Sequence, residues 1–475
     1  MGPSHLTKAA APLADFRRAE GMDVVIAEPP VAEAIQAAGR RPSYVLIVGD
    51  AVLGGKAGPW HVPAPVREQH HWHRGQAPKF AADPLYGDVD GDLVPDVPVG
   101  RIPARTAEAV ERIARKTVAF ERRPAALADL RLLVWAGASG LDPSIDRLIL
   151  NVGFTAFRTG MPTWIRPWAL LGSPGHPVCG WPDHHRRTFA AWLRRGALAT
   201  VFIGHASPER FHSMVHAGRR ISWSAADARE ALGTGEPGGP VFLITCLTAQ
   251  FTRERACLAE VFLGAPGGPV VAIGATAESH PFPNYFTATC VMPQLGRRTE
   301  RVGDLWIAAQ RDAYQARSPL LELALAQAER DRGYRTDVTQ LRRDQLLLYA
   351  ILGDPAVRMK FVRRMKVQVR RENGAWRWRV EKPAGADRLY VGLRALAPAL
   401  PPGPAGPGPE AAEAAHRKAL EAFAFQPVAS LGAADDWSGV IRRPGALRLV
   451  ATGPAGMYVA AGKLRPPATQ PAERT

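Results

Sequence analysis

Two short apolar runs, Ala199 to His205 and Val241 to Cys246, constrain the fold of this chain more than any other feature. Each has the length and the β-branched content of a strand. Neither alternates apolar with polar residues, which is the pattern of a strand covered on both faces, as in parallel α/β sheets. Each run ends in a reactive side chain, an imidazole in one and a thiol in the other. Open α/β sheets build their sites at the carboxyl ends of their strands. A histidine and a cysteine delivered there by neighbouring strands would form a nucleophile–base pair.

The remaining composition narrows the alternatives. The chain has 475 residues, 46% hydrophobic and 22% charged, enough for two or three soluble domains with a sizeable core. No apolar stretch reaches the length needed to span a bilayer. The first residues, Met1 to Lys8, contain no apolar core of a signal peptide. The net charge of +16 is carried mostly by scattered arginines. No run concentrates them among aromatics, so no nucleic-acid partner is expected. The four cysteines, Cys179, Cys246, Cys257 and Cys290, include no CxxC pair. They form neither a zinc ribbon nor a disulfide framework, although one pair among Cys179, Cys257 and Cys290 stays open.

Patterning along the chain alternates helix and strand. Leu13–Arg18 reads as helix, Asp23–Ala27 as strand, Val31–Ala38 as helix and Tyr44–Val48 as a buried strand. Thr106 is placed to cap a helix that ends near Glu121. A second α/β block has strands at Leu130–Trp135, Ala199–Ile203, Val241–Thr245 and Pro269–Gly274, with helices between them, which implies parallel pairing. After about residue 362 the pattern changes to alternating strands, interrupted by a Pro/Gly-rich stretch at Pro401–Pro409 and a short helix at Ala411–Ala424. The expected organisation is an α/β unit over 1–125, a second over 126–362, a small β-sandwich-like domain over 363–465 and a disordered tail over 466–475.

Other clusters carry weaker chemistry. Asp88, Asp90 and Asp92, with Asp96 beyond, alternate like the opening of a Ca²⁺ loop, but no glutamate closes it at EF-hand spacing. A bare acidic turn and a Ca²⁺ site both stay open. His61, His70, His71 and His73 share one loop, and His184 and His185 lie near Cys179. Spacing supplies them with no converging ligand, so they read as loop histidines. The glycine-rich stretch Gly233–Gly239 precedes a strand and is not a phosphate loop.

Several blocks taken together resemble the gingipain family of cysteine peptidases, within the caspase-like group. These are Tyr44–Asp50, Asp83–Tyr86 followed by Pro95–Arg101, Gly204-His205, Thr245–Phe251, Ala259–Phe262 with Val271–Thr276, and Gly353-Asp354-Pro355. Their order and spacing carry the resemblance, over roughly residues 5–360. It implies two adjoining α/β units with mostly parallel sheets, the second caspase-like, followed by a β domain. It also places the amino terminus about where the family's first strand would end, implying truncation or a missing edge strand. An extracellular or cell-envelope location follows from the family alone.

The resemblance further implies a cysteine endopeptidase acting on protein or peptide substrates through a thioester. Cys246 would be the nucleophile and His205 the base, then the acid for the leaving amine. The backbone N–H groups of Ala206 and Cys246 would form the oxyanion hole. Asp146 stands where an acidic residue would receive a basic substrate side chain, against its reading as a helix-start aspartate. No cofactor is required, with Ca²⁺ the one candidate. Two departures point toward an inactive caspase-like binding module instead: Ala206 and Ala249 occupy positions where the family usually has glycine, a substitution that matters most if φ is positive. The carboxylate that would orient the imidazole is replaced by Gly137–Gly140. A metal-dependent hydrolase built on the acidic or histidine clusters is the third reading.

Overall fold

The computed structural model describes residues 1–54, 56–69, 78–138, 154–155, 158–330 and 337–465. Its centre is one eight-stranded sheet. In chain order the strands are β1 (Val45–Val48), β2 (Val99–Ile102), β3 (Arg131–Ala136), β4 (Arg166–Leu171), β5 (Ala199–Ile203), β6 (Val241–Ile244), β7 (Val271–Ala275) and β8 (Tyr349–Gly353). Their spatial order is β1-β2-β8-β7-β6-β5-β3-β4.

Every pairing in this sheet is parallel except β7 with β8, where Ala275 faces Tyr349 and Val271 faces Gly353. The antiparallel β7–β8 seam therefore divides the sheet into β1-β2-β8 and β7-β6-β5-β3-β4, each parallel within itself. The chain reaches it by running the helix Val338–Leu348 directly into β8.

The continuous apolar character of the strands follows from burial on both faces. In β6, Phe242 and Ile244 enter one core while Val241 and Leu243 enter the other. Strand geometry alternates side chains in this way, so with both faces covered no position is left for a polar residue. One face is covered by helices Ala107–Arg122, His185–Arg194, Ala225–Leu232 and Leu258–Gly264. Thr106 caps the first of these as expected, accepting from Ala109 N–H at 3.3 Å. The other face meets helices Pro281–Arg297 and Val302–Gln315.

That second core also takes in Val450 and Val459 of the carboxyl-terminal domain. The domain pairs a five-stranded sheet with a three-stranded sheet around Trp376, Trp378, Leu389, Leu449 and Trp437. Its inserted helix spans Pro409–Ala422.

One expected strand is absent. Asp23–Ala27 takes no strand conformation, and Val25 and Ile26 are exposed. The edge of β1 is already occupied by the amino-terminal residues: Met1 donates its amino group to Leu46 O at 2.7 Å and accepts from Val48 N–H at 2.8 Å. With those backbone groups taken, the run at 23–27 meets the amino-terminal segment through Gly2 N–H, which donates to Ala27 O at 3.1 Å, and forms no strand. All four cysteines are free thiols, so the open disulfide pairing does not form.

Candidate active site

Strands β5 and β6 are adjacent and parallel, with Ile203 opposite Ile244. His205 and Cys246 each lie two residues beyond these partners, at one rim of the sheet. The local structure that presents each of them is different.

At His205 the chain leaves the sheet. Gly204 takes φ 139° and still donates to Ile244 O at 3.3 Å. His205–Ser207 then becomes the first strand of a separate three-stranded sheet completed by Arg210–His216 and Arg219–Ser224. This small sheet crosses the carboxyl ends of β3 to β5 at close range. A Cβ on Gly137 would stand 2.5 Å from His212 O, and one on Gly204 would stand 3.2 Å from Gly137 Cα. Gly137, in the stretch that replaces the expected orienting carboxylate, therefore serves backbone approach. Gly137 N–H donates to Ile203 O at 2.7 Å, and Ala138 N–H to Ser213 O at 2.7 Å.

Across the hairpin, His205 pairs with His212. Burial, then the charges of Arg220, Arg210 and His205, push the His212 imidazole down to about 4. Its Nδ1 is buried with no hydrogen-bond partner among the described residues. His205 itself is exposed.

At Cys246 the backbone turns sharply. Leu247 holds a left-handed conformation at φ 61°, uncommon for a residue with a Cβ. The turn is fixed by Leu247 N–H donating to Ala277 O and Ala249 N–H donating to Ala275 O, both at 2.9 Å. Thr245 and Thr248 join their hydroxyls at 3.1 Å beneath it. The Cys246 sulfur is half-buried against Ser279, which offers its N–H at 3.4 Å, its carbonyl at 3.4 Å and its hydroxyl at 3.7 Å. Burial pushes the thiol up, the Ser279 hydrogen bonds pull it down, and the Glu278 carboxylate pushes it up again.

The two alanines that depart from glycine sit in ordinary backbone. Ala206 pairs with Phe211 in extended conformation, and neither Ala206 nor Ala249 has positive φ. Ala249 is fully buried.

Asp146 lies outside the described residues, as do His70, His71 and His73. In the acidic turn the carboxylates that converge within 4.8 Å are Asp88, Asp90 and Asp96. Asp92 instead accepts from Val94 N–H at 2.7 Å. The turn is already provided with partners. Asp88 accepts from Gly91 and Leu93 N–H at 3.0 Å each, and Asp96 pairs with Arg311 at 2.8 Å and Arg41 at 3.2 Å. The cluster also stands apart from the β5–β6 rim in sequence and in bonding.

Neither His212 nor Ser279 was identified from the sequence. Ser279 follows β7, which neighbours β6, so looking one strand further along the same rim would have flagged it. His212 enters through the hairpin, whose alternating pattern is short and interrupted by a bulge between Ile221 and Ser222.

The sequence profile of Peptidase family C25 matches residues 2–360. Among solved structures, the fold is similar to a complex of the pro- and mature domains of RgpB from Porphyromonas gingivalis. Identity is 13% and the TM-score 0.53, over 98% of this chain and 99% of that one. It is also similar to a crystal structure described as the Arg specific cysteine proteinase gingipain R, at 13% identity and TM-score 0.50, over 97% and 96% of the two chains. No curated protein sequence matches. The two-block α/β sheet, the β domain behind it and the family profile agree: the chain belongs to peptidase family C25, the gingipain family of cysteine endopeptidases.

Proposed function

We propose that this enzyme cleaves peptide bonds with Cys246 as nucleophile and His205 as its proton acceptor and donor. The observation that carries the reading is the β5–β6 register, in which the two residues follow paired positions on adjacent parallel strands. Neighbouring strands lie about 4.8 Å apart, so the register starts the two residues from adjacent points of one rim.

The steps follow from thiol chemistry. His205 takes the thiol proton, and the Cys246 sulfur attacks the scissile carbonyl. The N–H groups of Ala206 and Cys246 hold the oxyanion, each worth roughly 3 kcal/mol in the transition state. His205 returns the proton to the leaving amine, and water then hydrolyses the thioester. The extended backbone at Ala206 supports its part in this arrangement. No step needs a metal, and Asp88, Asp90 and Asp96 play no part in it.

A preference for a basic side chain before the scissile bond is proposed from Asp146 and from the Arg specificity of gingipain R, whose fold this chain resembles. A carboxylate there would pair with guanidinium in bidentate fashion. An extracellular or cell-envelope location is proposed from the family. No helix among the described residues is long and apolar enough to cross a membrane.

The test is hydrolysis of fluorogenic peptides with Arg, Lys or Ala before the cleaved bond. Cys246→Ala and His205→Ala are each expected to lower kcat/KM by about a thousandfold or more. EDTA is expected to leave the wild-type rate unchanged. Full activity in Cys246→Ala would overturn the thiol mechanism, and chelator-sensitive turnover surviving that change would point to a metal-dependent hydrolase. Equal rates on all three peptides would overturn the role of Asp146.

A further inference from the structure

A chain of buried polar side chains runs inward from the Cys246 sulfur, and the catalytic steps above make no use of it. Ser279, Asn284, Tyr349 and Gln345 are all buried. Tyr349 Oη donates to Asn284 Oδ1 at 2.7 Å, and Gln345 Nε2 donates to the same oxygen at 2.9 Å. Asn284 Nδ2 donates to Ser279 Oγ at 2.7 Å. The far end is tied down: Gln345 Nε2 also reaches Thr287 Oγ1 at 3.1 Å, which donates to Gln310 Oε1 at 3.1 Å.

The direction of these bonds has a consequence at the sulfur. Two donors converge on Asn284 Oδ1, so the amide is turned with its NH₂ group toward Ser279. Ser279 Oγ is then an acceptor from Asn284, and its own proton is shared between two acceptors, the Cys246 sulfur and the Tyr349 oxygen. The sulfur of Cys246 lies 3.7 Å from that oxygen, and Ser279 N–H lies 3.4 Å from the same sulfur. A neutral thiol can satisfy itself by donating to Ser279 O at 3.4 Å. A thiolate has no proton to give and accepts only, which Ser279 meets with both its N–H and its O–H. Hydrogen bonds to a charged acceptor are about twice as strong as neutral ones.

We propose that Ser279, oriented by Asn284 and Tyr349, is a positioning residue that holds the Cys246 sulfur in its ionised form by donating its hydroxyl proton. This rests on the reading of Cys246 as the nucleophile. It assigns the seam of the sheet a part in the reaction, because Tyr349 opens β8 and Asn284 lies in the helix after β7.

The experiment is the pH dependence of iodoacetamide alkylation at Cys246, followed by peptide mapping so that Cys179, Cys257 and Cys290 are counted separately. Ser279→Ala removes the hydroxyl and keeps the N–H. It is expected to move the alkylation midpoint upward and to slow alkylation about tenfold at a fixed pH below it. Ser279→Thr restores a hydroxyl and is expected to return the profile toward wild type. Asn284→Asp presents only acceptors to Ser279, draws its proton away from the sulfur and is expected to shift the profile in the same direction as Ser279→Ala. Circular dichroism checks that each variant is folded, and if Asn284→Asp is not, the two Ser279 variants decide. A Ser279→Ala profile that overlays wild type overturns the proposal, as does a shift that Ser279→Thr leaves in place. Retained hydrolysis in Cys246→Ala would overturn the nucleophile reading instead, and alkylation would still report on Ser279.

Discussion

Replacing Asp83 with asparagine should destabilise this protein far more than a typical charge substitution. Arg101 on β2 is completely buried, and Asp83 is 2% exposed. All five guanidinium N–H donors are used. Nε and Nη2 grip the two oxygens of Asp83 at 2.6 and 2.8 Å, Nη1 donates to Gly49 O and Val62 O at 3.0 Å each, and Nη2 also reaches Pro63 O at 3.2 Å. The ring of Phe251 lies 5.0 Å from the guanidinium carbon. Asp83→Asn removes the countercharge and sets an NH₂ group among donors, leaving a buried cation unpaired. Breaking a buried pair from one side costs about 3–5 kcal/mol. In urea, with a slope of about 3 kcal/mol per molar or more for a chain of this size, the unfolding midpoint should fall by on the order of 1 M. Tryptophan fluorescence follows the transition. Asp15→Asn is the control, since its pair with Arg18 has a similar distance, 2.8 Å, but is exposed. Such pairs contribute about 0–1 kcal/mol. If Asp83→Asn shifts the midpoint no more than Asp15→Asn does, the clamp is not what holds this edge of the sheet.

Two further outcomes follow from the same structure. Gly137→Ala should displace the His205 hairpin, because its Cβ would fall 2.5 Å from His212 O; a loss of about 1–3 kcal/mol in stability and lower peptide hydrolysis are expected, and unchanged values of both would show that the hairpin has room. Acid should weaken the fold through His185, which burial pushes down to about 4 from about 6.5 in the unfolded chain. Between those values the unfolded state binds the proton and the folded state does not, so stability falls as pH drops from 6.5 toward 4, by up to about 3 kcal/mol. A His185→Leu variant should show a flatter profile in urea titrations across that window, and a parallel one would refute the assignment.

The blocks that carried the family resemblance divide into two kinds once folded. Gly204-His205 and Thr245–Cys246 lie at the β5–β6 rim. Asp83 with Arg101, and Asp354 of the Gly-Asp-Pro block, are structural: Asp354 takes Arg17 at 2.7 and 2.9 Å in a buried pair. Spacing along the chain does not separate a buried Asp–Arg clamp from the proposed Cys–His pair, because order and interval carry no record of burial. Burial and partners separate them.

Strand positions were legible because two-sided burial leaves an unbroken apolar run, and helix starts were legible where a side chain such as Thr106 caps the backbone. The apolar run at Asp23–Ala27 misled, since composition does not record that Met1 has already filled the edge of β1. From residue order alone came most strands of the central sheet, though not β4 or β8, together with their covered faces and the arrival of a thiol and an imidazole at strand ends. Tertiary structure alone decided the antiparallel join of β7 and β8, the hairpin that sets His212 beside His205, and the line from Cys246 through Ser279 and Asn284 to Tyr349. Register and crossover direction bring such distant segments together, and local sequence does not specify either.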